Sequence, residues 1–196
     1  NFTVIFNKPV TGFTNADVLL SGTAGATNAV VTGSGANYNV AVSGMAGSGT
    51  VIATIPAGAA QDASSNTNTA STSTDNNVLY DVTVPTVTIN RAAGQADPTN
   101  TSPINFTVVF SEAVTGFTSA DVALNGTAGA TTAVVTGSGT TYNVAVSGMT
   151  ASGTVIATVP AGNAQDSAGN SNSASTSTDN NVAYDFTAPS VTIDQA

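Results

Sequence analysis

The sequence contains no cysteine, no histidine and no tryptophan, and sets only two basic residues against eleven acidic ones, for a formal net charge of −9 over 196 residues. Without cysteine there is neither a disulfide framework nor a thiolate, and without histidine no side chain whose ordinary pKa lies near neutrality. Together these absences remove the common acyl-transfer triads and most zinc sites. One lysine and one arginine do not make the basic patch that neutralises several phosphates, so nucleic acid is excluded as a partner, as is an anionic membrane surface. Charged residues amount to 7%, against about 25% in an ordinary soluble domain. The surface is left to Thr, Ser, Asn, Ala and Gly. Apolar runs are short, Val51 to Ile55 being typical, and fall well below the roughly 20 residues of a membrane helix.

With 41% hydrophobic residues the chain has enough apolar matter for a core. That matter is arranged in a repeat. Asn1-Phe2-Thr3-Val4-Ile5-Phe6 returns as Asn105-Phe106-Thr107-Val108-Val109-Phe110, and the match runs without a gap to the C-terminus at an offset of 104, with 67 of 92 overlapping positions identical. The copies have diverged so little that their agreement reflects duplication and singles out no functional residue. Val84-Pro85-Thr86-Val87-Thr88-Ile89 reappears as Ala188-Pro189-Ser190-Val191-Thr192-Ile193. The expected division is therefore a repeat over 1–84 lacking its first strand, a complete repeat over 85–188, and a segment 189–196 corresponding to the first strand of a following repeat. Two readings of that pattern stand: a longer array cut at an arbitrary place, or a terminal strand that completes the open first repeat of a neighbouring molecule.

Alternation with period two dominates. Phe106, Val108 and Phe110 share one face, and so do Tyr142, Val144 and Val146. Further strands are expected over 86–90, 121–124, 130–136, 153–159 and about 173–185, with turns at Gly137-Ser138-Gly139, Ser147-Gly148, Pro160-Ala161-Gly162 and Ala168-Gly169-Asn170. Nothing reads as a helix. About seven short strands in 104 residues predict an all-β chain of tandem immunoglobulin-like Greek-key sandwiches, arranged as beads on a string, with a barrel as the alternative.

Phe110-Ser111-Glu112-Ala113-Val114-Thr115-Gly116-Phe117-Thr118-Ser119-Ala120-Asp121-Val122, then Ala161-Gly162-Asn163-Ala164-Gln165-Asp166-Ser167-Ala168-Gly169-Asn170 and Tyr184-Asp185-Phe186-Thr187-Ala188-Pro189, resemble the bacterial Ig-like repeats of very large surface proteins. The resemblance covers the whole chain, twice over. It implies the sandwich fold and a non-enzymatic role in a stalk that spaces an adhesive or enzymatic tip from the cell, with Ca²⁺ between domains. The first copy departs from the pattern at Asn7-Lys8-Pro9, where the second has Ser111-Glu112-Ala113.

The acids are few enough to place individually. If the strands follow the immunoglobulin order, Asp81 ends the first repeat while Glu112 and Asp166 fall in loops at the facing pole of the second. Three carboxylates gathered at one junction are the oxygen-rich, mutually repelling set that Ca²⁺ requires. Asp97 and Asp185 would serve the next junction. Against this stands the ordinary use of Asp and Asn in Gly/Ser-rich loops as turn formers, which covers Asp62, Asp75, Asp166 and Asp179 equally well. Lys8, at the position of Glu112, should exchange an ion for a salt bridge. Low aromatic content speaks against a sugar platform. The expected role is a spacer in an extracellular bacterial fibre, stalk or adhesin, whose partners are neighbouring repeats of the same chain or fibre; the alternatives are a filament subunit joined by strand donation and a Ca²⁺-dependent adhesive domain.

Overall fold

The computed structural model describes residues 1–195. The chain divides into two compact units, Asn1–Thr83 and Val84 onward, each with its own apolar cluster.

In the second unit the strands form two three-stranded antiparallel sheets. One has the order β6 (Val87–Arg91), β7 (Ile104–Val114), β9 (Thr132–Ser147); the other runs β8 (Ala123–Asn125), β10 (Gly153–Thr158), β11 (Asn181–Tyr184). The alternation read from the sequence places Val87, Ile89, Phe106, Val108, Val144 and Val146 on one inner face and Val155, Ala157 and Val182 on the other, all nearly inaccessible to solvent. Polar neighbours point outward, as expected of half-buried strands. Phe110, Phe117 and Tyr142 pack edge to face, with centroids 5.1 to 5.9 Å apart, and the Tyr142 hydroxyl donates to the Val114 carbonyl at 3.1 Å. An aromatic body in the core with a satisfied polar tip is the usual way tyrosine is buried.

The first unit repeats this plan as β1 (Phe2–Val10) with β3 (Asn28–Ser43), and β2 (Leu19–Ser21), β4 (Gly49–Thr54) and β5 (Asn77–Tyr80) in the second sheet. Among the described residues it holds no counterpart of β6. The consequence is visible in burial. Phe106, Val108 and Phe110 are 0 to 2% exposed, whereas Phe2, Val4 and Phe6 are only half-buried, and Val78 is 47% exposed where its counterpart Val182 is 0%.

Three local expectations change. The turn at Gly137-Ser138-Gly139 does not end a strand: β9 continues through it as a sharp bend, merging two expected strands into one and leaving six strands among the described residues of this unit. The bend needs glycine, because Gly137 has φ +114° and a Cβ there would sit 2.7 Å from the Thr141 carbonyl oxygen. A single 3-10 turn, Ser119–Asp121, precedes β8 where extended chain was expected, closed by the Asp121 carboxylate accepting from the Thr118 amide at 2.6 Å and hydroxyl at 2.7 Å; the first unit repeats it at Asn15–Asp17. Finally, the strand expected over 173–185 is regular only from Asn181 to Tyr184. Upstream, side chains replace the ladder: the Ser177 hydroxyl accepts the Ile89 amide at 2.9 Å, and Asn90 Oδ1 accepts the Asp179 amide at 3.1 Å. Ser, Thr and Asn offer the backbone such local partners and interrupt regular pairing.

Candidate functional site: the acidic loops

Glu112 lies near the end of β7, and Asp166 in the loop after β10. A carboxylate oxygen of each comes within 4.8 Å of the other. Asp166 is only 6% exposed and accepts the Ala168 and Asn170 amides at 2.8 and 2.9 Å and the Asn170 side-chain amide at 2.8 Å. It therefore shapes its own loop, as a turn-forming Asp does, while presenting its charge to Glu112. The first unit has an equivalent loop, Asp62 to Asn66, but faces it with Lys8 in place of Glu112. Asp62 accepts the Ser64 and Asn66 amides at 2.9 Å each, and Lys8 donates to it at 2.6 Å. Where one unit holds a carboxylate pair, the other holds the salt bridge expected of Lys8.

Asp81 and Asp185 occupy equivalent positions at the ends of their units. Asp81 accepts from the Ser48 hydroxyl at 2.8 Å and the Thr83 amide at 2.9 Å; Asp185 accepts from Ser152 and Thr187 at 3.0 Å each. Asp97 accepts the Ala183 amide at 2.9 Å and lies 3.3 Å from Arg91, which also faces Asp179 at 3.4 Å. A cation of the protein itself thus already faces Asp97.

The sequence reading missed a buried polar side chain that makes four hydrogen bonds. Asn172, 2% exposed, accepts the Asn163 and Ala164 amides at 2.8 Å and donates to the Pro160 and Ser173 carbonyls at 3.0 and 2.7 Å. Asn68 makes the corresponding bonds to Ala60, Pro56 and Thr69. The available signal was an Asn retained in both copies, which near-identical copies cannot distinguish from simple ancestry.

Four carboxylates are held below the usual range by donors to their charged forms: Asp62 by Lys8 first and then Asn66, Asp81 by the Thr83 amide and then Ser48, Asp166 by the Asn170 side chain, and Asp185 by the Thr187 amide and then Ser152. A carboxylate with a depressed folded pKa contributes stability that is present above its unfolded value, about 4, and lost as the pH falls through the folded value. Thermal unfolding is therefore expected to show no loss of stability from these groups between pH 7 and 5, and a falling melting temperature below about pH 4. A pH series of melting curves measures it, and a melting temperature that rose steadily from pH 5 to pH 2 would contradict the assignment.

Two facing antiparallel sheets, with β6, β7 and β9 in one and β8, β10 and β11 in the other, and a tyrosine-centred aromatic cluster, define the second unit as an immunoglobulin-like sandwich. The sequence profile of the bacterial Ig-like domain family matches residues 81–184, just over half of the chain, and the chain belongs to that family. Comparisons with curated proteins and with solved structures gave no match. The chain is thus a structural Ig-like module. Among the described residues no helix is long and apolar enough to cross a membrane.

Proposed function

We propose that the chain is a spacer from an extracellular bacterial fibre, stalk or adhesin, in which Ig-like repeats separate a functional end from the cell surface and neighbouring repeats are the principal partners. The observation that carries this reading is that both units spend their polar side chains on the sandwich itself. Asn172, Asp166, Asp185 and Tyr142 each close a turn or tie one strand to another. Family membership and the lack of histidine and cysteine support it further. An antibody raised against the chain should label intact, unpermeabilised cells of the organism that makes it; labelling only after lysis would overturn the reading.

A second reading, Ca²⁺ binding, is favoured by the Glu112–Asp166 pair. Two carboxylates this close repel one another, a cation between them relieves that repulsion, and Ca²⁺ accepts such oxygen ligands from loops. Asp81, the third ligand anticipated from the sequence, completes the proposed set. At the roughly millimolar affinity of extracellular Ca²⁺ modules, 10 mM Ca²⁺ should raise the melting temperature of the second unit by roughly 5–10 °C, and chelator should reverse the shift. Glu112→Lys should abolish the response and reproduce the Lys8–Asp62 bridge, raising the metal-free melting temperature. A wild-type chain indifferent to Ca²⁺ would remove this reading and leave the spacer role standing.

A further inference from the structure

The salt bridge of the first unit has a third member. Lys8, the only lysine in the sequence, donates through Nζ to Asp62 Oδ2 at 2.6 Å, and the Asn66 side-chain amide donates to the same oxygen at 3.1 Å and to Oδ1 at 3.3 Å. A primary amine and a carboxamide thus meet on one carboxylate. The backbone holds all three in place. β1 changes register between Ile5 and Val10, and such an irregularity re-aims the side chains within it, Lys8 among them. The Thr11 amide donates to the Gln61 carbonyl at 2.8 Å and the Gln61 amide to the Thr11 carbonyl at 2.9 Å, which fastens the start of the loop to the end of β1. Within the loop, Asp62 Oδ1 accepts the Ser64 and Asn66 amides at 2.9 Å each, and the Asp62 amide donates to the Asn66 carbonyl at 3.0 Å. The chain turns back through Ser65, at φ +63°, and returns Asn66 to the side of Asp62.

These are the parts needed to close an amide between two side chains: a nitrogen nucleophile, a carboxamide that can lose ammonia, and an acid in contact with both that carries protons between them. The Asp62 side chain is 9% exposed and that of Lys8 55%. Water therefore competes little for the carboxylate, while the lysine side of the trio is open enough for ammonia to leave. The second unit keeps two of the three parts. There the Asn170 side-chain amide donates to Asp166 Oδ2 at 2.8 Å, but Glu112 stands where the amine would be, and that unit contains no lysine.

We infer that the first unit closes a covalent amide between Lys8 and Asn66, with Asp62 as the catalytic residue. Asp62 takes a proton from the Lys8 ammonium, and the free amine attacks Asn66 Cγ. The Nζ–Cγ bond forms and the Cγ–Nδ2 bond breaks. Two protons leave Nζ in all: one, relayed through Asp62, turns the departing nitrogen into ammonia, and the other leaves with it as ammonium. Asp62 returns to a carboxylate, and no oxidant or cofactor takes part. The ion pair keeps the proton on Lys8 and holds Asp62 below the usual carboxylate range, so the amine is seldom free and closure is slow beside folding. The product ties β1 to the loop after β4 and encloses residues 9–65 in a covalent ring. The inference is independent of the spacer reading and survives if surface labelling fails.

The test is the intact mass of the whole chain after prolonged incubation at neutral pH. It should be lower than the sequence mass by one ammonia, and digestion should release a branched peptide that joins Lys8 to Asn66. A chain of full mass would overturn the inference. Lys8→Arg keeps a cation beside Asp62, but a guanidinium does not attack a carboxamide, so this variant should regain the full mass. A loss that persisted there would trace the ammonia to another asparagine and equally overturn the inference. Asp62→Asn keeps an acceptor for the Ser64 and Asn66 amides while removing the proton carrier, and should stay unlinked; linkage in that variant would overturn the role given to Asp62. Glu112→Lys rebuilds the trio at Asp166 and Asn170 and should lose a second ammonia, whereas loss of only one would contradict the claim that the trio suffices.

Discussion

Phe106→Ala should destabilise the second unit by about 3–5 kcal/mol, whereas the same change at the equivalent Phe2 should cost the first unit roughly 1–2 kcal/mol. The two residues occupy one position of one repeat, on the same face of equivalent strands. Phe106 is 0% exposed beneath β6 and in the ladder lies opposite Arg91 on one side and Val144 on the other, so its removal leaves a closed cavity. Phe2 is half-buried at the edge of an open groove, where water and neighbouring side chains fill the space left behind. Calorimetry that resolves two transitions reads both effects in one molecule. Equal losses would mean that the missing strand has no bearing on how the first core is sealed.

Asn172→Ala should cost the second unit roughly 3 kcal/mol or more, although the side chain is small and apolar packing hardly changes. Two amides, of Asn163 and Ala164, lose their acceptor, and two carbonyls, of Pro160 and Ser173, lose their donor. Each buried polar group left without a partner costs about 1–3 kcal/mol, reduced where water enters. Asn172→Asp separates the two halves of the effect. It keeps an acceptor for the amides but aims a carboxylate at two carbonyl oxygens, so it should destabilise too and should recover partly as the pH falls and the acid becomes a donor. Chemical denaturation at pH 7 and pH 4 makes the comparison, and an Asn172→Ala loss below 1 kcal/mol would show the network to be dispensable.

These contrasts also mark what the sequence carries. The sandwich is legible because a two-residue alternation is a direct record of which face is buried: Phe106, Val108 and Phe110 needed no coordinates to be assigned to the core. The loop acids are half-legible. That Lys8 would meet an acid follows from aligning the copies, but that this acid is Asp62, at 2.6 Å, is a consequence of how the loop after β4 folds against β1. Least legible are interactions that depend on a chain running irregularly. Residues 173–180 read as strand because they are rich in Ser and Thr with spaced apolar residues, yet the same hydroxyl and amide groups that permit strand also replace its ladder, as Ser177 and Asn90 do. Arg91 gave no sign in sequence of pairing with Asp97 and Asp179, since neither acid lies at a fixed local spacing from it.

A spacer of the kind proposed must bear tension, and the second unit has β6 bonded along both of its edges. Single-molecule pulling across residues 85–188 measures this most directly. The account expects one discrete unfolding event that releases roughly 30–35 nm of chain, the contour of 104 residues less the folded length. Smooth extension with no force peak, or release in several small uncorrelated steps, would contradict a cooperative load-bearing sandwich.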